Sequence, residues 1–360
     1  MRIDLPKSVF HNDERSFLTS PGLSVSTFCF PTGVEALRVR TSRANIVVLP
    51  FFGQQIWSAE LDGRDIGMKS MVHYPKRGAS LLENLGGFFF HCGLTAIAAP
   101  AEGDNHPLHG ELPCAEYDRA WLEVTGNDGQ LSLAIRGSVE YSKAFSNRYR
   151  FNSSIALKQN QASIDIDVEV NNLKTTPMDL CYLGHINFRP VNGSSLVYSA
   201  PYDATSVKVR NAIPSHLTPS NEYRQLLADL EKDPARHHAI TDTLNYDPEI
   251  VFKIDYLADD DGWAHGLQRH SDGTADWVAH RPDQFPYAFR WFSRTPDQDC
   301  LAITEPATCG IDGYSREKQL GRMPTLGGHE TWSARMRVGC LTCEEADALA
   351  LKVNRLSGRP

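Results

Sequence analysis

An all-β fold, a large and mainly antiparallel β-sandwich or barrel, is predicted by three features of this 360-residue chain. Apolar residues alternate with polar ones at period two through many short segments. Gly, Asn and Asp punctuate those segments at turn-like intervals. Helical spacing, by contrast, is confined to two stretches.

The elements follow in order. "ANIVVLPFFGQQIWSAELDGRDI" (44–66) reads as two strands closed by a turn at Asp62-Gly63. "WLEVTGNDGQLSLAIRG" (121–137) reads as a hairpin, with Gly126-Asn127-Asp128-Gly129 supplying the positive φ angles of its turn. "RYRFNSSIAL" precedes "SIDIDVEV" (163–170), and "QNQ" offers the turn between them. In the second of these, Ile164, Ile166, Val168 and Val170 face one side and Asp165, Asp167 and Glu169 the other, which is a half-buried antiparallel strand. Later strands are expected at 249–257, 285–293, 300–305 and 331–339. Tyr223, Leu226, Leu227 and Leu230 lie at helical spacing before Pro234. A terminal helix is expected over 342–356, where Thr342 and Glu345 form a capping-box pair. With no repeat, low-complexity tract or Pro/Ser-rich linker, residues 1–360 read as one domain, 1–40 forming an N-terminal arm or first strands.

Composition narrows the partners. A net charge of −8 and a pI near 5.9 argue against a nucleic-acid backbone. No apolar run approaches the ~20 residues that span a bilayer, and the first residues lack the apolar segment of a secretory signal. Eight cysteines without a framework spacing point to reduced thiols and a cytoplasmic setting. "CLTC" (340–343) has redox or zinc spacing, but no second such pair follows it, and it reads as structural.

Three polar stretches carry residue types suited to chemistry: "HPLHGELP" (106–113), "CYLGHINFRP" (181–190) and "LAITEPATCGIDGY" (301–314). Glu305 ends an apolar run, where a carboxylate is costly unless paired or used. His185 sits among apolar neighbours, and an imidazole is the side chain suited to giving or taking a proton at physiological pH. Together they would make an acid–base pair. Each has a plainer reading: His185 as a satisfied core histidine, Glu305 as a loop cap or a partner of Arg290. His106 and His109 could ligate a metal, but no third and fourth ligand is evident nearby, so a hydrogen-bonding role is favoured and no metal or cofactor is expected.

Taken in order, the three stretches resemble the galactose mutarotase, or aldose 1-epimerase, superfamily. "PLHGELPCAEYDRAWLEV", "YLGHINFRPVNGS" and "CLAITEPATCGIDGY" are similar to its first-histidine, mid-chain-histidine and glutamate segments, and the resemblance runs over roughly residues 40 to 340. "GGFFFHCGL", "DGWA" and "FPYAFRWF" look more like a divergent branch than like the galactose enzyme itself. The resemblance implies a β-supersandwich, a carbohydrate substrate and an isomerase. It implies Glu305 as the base on the anomeric hydroxyl, His185 as the acid on the ring oxygen, and His109 as a hydrogen-bonding residue, with His106 supporting its loop. The family's sugar-binding aspartate transfers to Asp247, with Glu249 as a rival register. For its upstream arginine the nearest candidates are Lys76 and Arg77. Arg290 and Trp291 could also line the pocket, Trp291 as a stacking face or as plain core.

Three functions compete at this stage: an anomeric epimerase; a lyase or glycoside-processing enzyme, which for hydrolysis usually needs a second carboxylate; and a carbohydrate-binding or sensing protein without turnover. Lys76, Arg77 and Arg210 could serve a phosphorylated sugar or be solvated surface. The particular sugar and the oligomeric state are not encoded in any pattern we read.

Overall fold

The computed structural model describes residues 1–127, 130–213 and 219–359. Two large antiparallel sheets, of nine and twelve strands, pack face to face, as expected of a sandwich. The strand Ser163–Asn172 illustrates why: Ile164, Ile166, Val168 and Val170 are buried in the shared core, while Asp165 on the outer face pairs with Arg337 at 2.6 Å. Phe151 of the nine-stranded sheet stacks near Tyr182 of the other, with ring centroids 6.1 Å apart. Burying one face of each strand against the other sheet is what fixes the alternation.

The predicted strands are present, with ends shifted by a few residues: Tyr246–Ile254, Tyr287–Arg294, Asp299–Ala307 and Thr331–Leu341. The Asp62-Gly63 turn forms with both residues at positive φ, 50° and 74°, and joins Ile56–Leu61 to Arg64–Asp65. Of the other predicted turn, Asp128 and Gly129 lie outside the described residues. Both predicted helices form, Asn221–Lys232 capped by the Ser220 hydroxyl and Cys343–Leu356 by the full Thr342/Glu345 box. A short helix, Tyr314–Gln319, was not expected; it has no side-chain cap and no apolar stripe long enough to read.

The centre of the twelve-stranded sheet positions the site. There the strands Tyr246–Ile254, Tyr287–Arg294, Asp299–Ala307, Cys181–Ile186 and Phe89–Leu94 lie side by side in that order. One face of this group joins the core. The other is roofed by a turn around Leu82–Asn84, by the 95–111 loop and by residues following Val207–Val209 and Asp299–Ala307.

Candidate active site

Register brings the two distant acid–base candidates together. Leu183 pairs with Ala307 across adjacent antiparallel strands, which brings His185 and Glu305, each two residues away from that pair, to the same place on the sheet. His185 Nδ1 lies 3.0 Å from Glu305 Oε1. Both residues are buried, 5 % and 4 % exposed. On its other flank His185 pairs with Phe90, whose ring stacks on the imidazole at 4.4 Å.

The 3.0 Å approach is close but out of line for a hydrogen bond, and Glu305 Oε1 is a buried oxygen with no hydrogen-bond partner among the described residues. The Nδ1 proton is directed instead at Asn187 Oδ1, 2.7 Å away. Nε2 of His185 has no protein partner among the described residues. The Glu305 carboxylate is felt by its neighbours: burial first, then Glu305, pushes the thiols of Cys92 and Cys300 well above the usual range. These cysteines are therefore inert thiols rather than nucleophiles.

His109 closes the site from the loop. Its ring meets His185 edge-on at 5.3 Å, and its Nδ1 is buried without a partner among the described residues. Burial, and then the neighbouring His185 and His106, hold its pKa well below the ordinary histidine value, so the ring is neutral. The backbone explains the His-Gly pair. His109 has φ 59° and Gly110 φ 76°, and a Cβ on Gly110 would sit 2.3 Å from Ala96 O and 2.6 Å from Gly93 O. Only glycine lets the loop lie against the sheet so closely. Glu111 ties the loop down, accepting from the amides of Leu94 and Thr95 at 3.1 and 3.2 Å. His106 does not share a focus with His109; it faces Asp104 at 3.8 Å and its Nδ1 approaches Pro107 O at 2.9 Å.

His109, His185 and Glu305 line one cavity of about 110 Å³, together with Trp291, Glu249 and Arg210. Leucines 81, 82, 85 and 108 supply much of its apolar wall. Trp291 is largely buried, and its Nε1 donates to Glu249 Oε2 at 2.7 Å. Arg210 reaches the cavity while its Nε donates to Asp312 at 3.1 Å.

Three sequence candidates lie elsewhere. Asp247 is exposed beside Ser220 and Tyr223, because an irregularity in pairing between Tyr246 and Ile250 resets the register and hands the cavity face to Glu249 and Val251. Arg77 is engaged by Glu116 and Glu35, each at 2.6 Å, outside the cavity. Arg290 points the other way from Trp291, as alternation requires. It is fully buried toward the core, with Nε on Ile303 O at 3.0 Å, Nη1 2.7 Å from His237 Nε2, and Tyr198 beneath it at 4.3 Å. Asn187 was not singled out from sequence, although its place two residues after His185 puts it on the same side of the chain.

This arrangement defines the class: the fold is that of the galactose mutarotase-like proteins. A protein from Klebsiella pneumoniae described as "a putative aldose 1-epimerase" superposes with a TM-score of 0.78 at 16 % identity, over 96 % of this chain and 92 % of that one. A galactose mutarotase-like protein from Clostridium acetobutylicum gives 0.59 at 12 % identity, over 89 % and 99 %. One from Lactobacillus casei gives 0.56 at 12 %, over 85 % and 99 %. Residues 31–340 match the family described as Domain of unknown function (DUF4432), and the chain belongs to that family.

Proposed function

We propose that this protein is an aldose 1-epimerase, interconverting the α and β anomers of a monosaccharide. The reading rests on one observation: a buried carboxylate, Glu305, has no hydrogen-bond partner among the described residues and lies 3.0 Å from an imidazole in a cavity that His109, Trp291, Glu249 and Arg210 also line. An unpartnered buried carboxylate costs stability, and a substrate hydroxyl would satisfy it.

In this mechanism Glu305 takes the proton of the anomeric hydroxyl. As the C1–O1 bond gains carbonyl character, the bond between C1 and the ring oxygen breaks, and the proton on His185 Nε2 passes to that oxygen. The two sugar oxygens share one carbon, so an acid and a base this close together suit the task. The open-chain aldehyde rotates about C1–C2. Reclosure with the proton transfers reversed gives the other anomer. No electron leaves the sugar, and positioning plus proton transfer carry the rate. Neutral His109 hydrogen-bonds an oxygen near C1, while Glu249 and Arg210 hold hydroxyls further away. The descriptions carried by the structural relatives support the sugar as ligand and isomerisation as reaction.

The test is NMR saturation transfer between anomers across a panel of aldoses. The reading expects exchange above the buffer rate for at least one sugar; no acceleration for any would overturn it.

Glu249 brings a second carboxylate to the cavity beside Glu305, which favours a glycoside-processing enzyme as the alternative. Release of methanol from methyl glycosides would favour that reading over epimerisation.

A further inference from the structure

We propose that Asn187 is a positioning residue for His185: it fixes the imidazole proton on Nδ1 and keeps that proton away from Glu305. The inference rests on the acid–base reading above and adds a member that touches neither sugar nor reacting atom.

The argument starts from the asparagine amide. Its Nδ2 donates to Gly87 O at 2.9 Å. A carbonyl can only accept, so the amide nitrogen must face Gly87 and Oδ1 must face His185. That oxygen is 2.7 Å from His185 Nδ1, and two unprotonated acceptors would repel at this distance. Nδ1 therefore carries a proton in both the neutral and the charged ring. The Cys300 thiol approaches the same oxygen at 3.7 Å and reinforces its role as acceptor. Asn187 itself cannot turn freely. It is fully buried, its amide N–H donates to Phe88 O at 2.7 Å, and its carbonyl accepts from Met68 N at 3.0 Å.

The consequence lies in what Nδ1 does not do. Glu305 Oε1 is only 3.0 Å from the same nitrogen, yet remains unbonded. Without Asn187 the Nδ1 proton would turn to this carboxylate and form a charge-assisted hydrogen bond. Base and acid would then satisfy each other, and Glu305 would lose the basicity that the anomeric hydroxyl needs. With Asn187 in place, Nδ1 is occupied, Glu305 stays free, and Nε2 is the nitrogen that exchanges protons with the sugar. Phe90 stacked on the ring and the edges of His109 and Trp291 hold its plane. The ionisable groups around it are Glu305 and His109, with Glu249 and Arg210 on the same cavity wall.

Two readouts test this separately from the epimerase reading. In the intact protein, nitrogen-15 NMR of the histidine side chains should show neutral His185 protonated at Nδ1, the minority form for a free imidazole in water. In Asn187→Leu that proton should move downfield as it pairs with Glu305, and kcat should fall about 10–100-fold with KM little changed. Asn187→Asp keeps an acceptor at Nδ1. It should preserve the Nδ1 proton and recover most of kcat, with the alkaline limb of the pH–rate profile moved to higher pH because a carboxylate favours the charged ring that serves as the acid. A wild-type ring protonated only at Nε2 overturns the inference, as does an Asn187→Leu protein with unchanged kcat and Nδ1 resonance. If the leucine variant does not fold, an unmoved pH profile in Asn187→Asp overturns it. If no aldose is turned over but the Nδ1 signature is present and changes in Asn187→Leu, the positioning stands and the epimerase reading falls.

Discussion

Trp291 Nε1 donates to Glu249 Oε2 at 2.7 Å, joining neighbouring strands across the cavity floor. The bond fixes one oxygen of the carboxylate to which the proposed mechanism gives a sugar hydroxyl. It also separates two acids that sequence alone left as rivals. Glu249→Gln should raise KM about tenfold, the loss of one charge-assisted hydrogen bond, with a smaller change in kcat. Asp247→Asn, on an exposed stretch outside the cavity, should leave both constants within about twofold of wild type, as surface changes do. Anomeric-exchange kinetics on the two variants decide the matter; the reverse pattern would mean that the cavity is not the binding site.

Glu305→Gln removes the proposed base while keeping the side chain's size. Exchange should fall by about 10²–10⁴-fold, the usual share of general base catalysis. Sugar binding, followed by titration calorimetry, should survive. Loss of binding together with turnover would instead make Glu305 a sugar-holding group rather than the base, and full activity would remove it from the chemistry.

Much of this was legible in the chain because alternation is a strong code. The period-two pattern of 163–170 specifies which face is buried, and the strand obeys it. His185 and Glu305, 120 positions apart, could be suspected as partners from residue type and from the ordered resemblance, but the pairing of Leu183 with Ala307 that joins them is a tertiary choice. Alternation also contained a warning that the sequence reading missed. Arg290 and Trp291 are adjacent in a strand, so both could not face one cavity, and the arginine is the one turned inward. The same rule places Asn187 beside His185. Glu249 rather than Asp247 lines the cavity because of an irregular register, which has no reliable signature in sequence. Arg210 reaches the cavity from beyond a three-residue strand too short to read.

Gly110 offers a test of how loop and chemistry are coupled. An added methyl would meet Ala96 O at 2.3 Å and Gly93 O at 2.6 Å at a φ of 76°. Gly103, in the same loop, has φ 86° with nothing within 4 Å of the methyl position. Gly103→Ala should therefore cost only the backbone term, about 1 kcal/mol, and leave exchange intact. Gly110→Ala must push the loop off the sheet and carry His109 with it, lowering kcat/KM more than tenfold by the sensitivity of catalysis to about 1 Å of misplacement. Parallel denaturation and exchange measurements would show equal effects for the two variants if the close approach were unimportant.

Acid stability follows from the histidines buried without charge. Burial lowers His91 and, with help from His265, His280 to about 3; burial and Arg290 lower His238 to about 4. The unfolded chain takes up protons on these residues near the ordinary histidine pKa of about 6.5, whereas the folded protein does not until much lower pH. The unfolded state thus binds more protons between these limits, so stability is fully present above about pH 6.5 and declines as pH falls toward 3–4. Each such histidine contributes a slope of at most about 1.4 kcal/mol per pH unit. Urea midpoints measured from pH 7 to pH 5 should fall steadily. In His91→Gln, which keeps a polar partner for the Tyr182 hydroxyl now 2.7 Å from His91 Nδ1, the fall should be shallower by one histidine's share even though the variant starts less stable at pH 7. Midpoints that stay level over this range would mean that these imidazoles are charged, or solvated, in the folded protein.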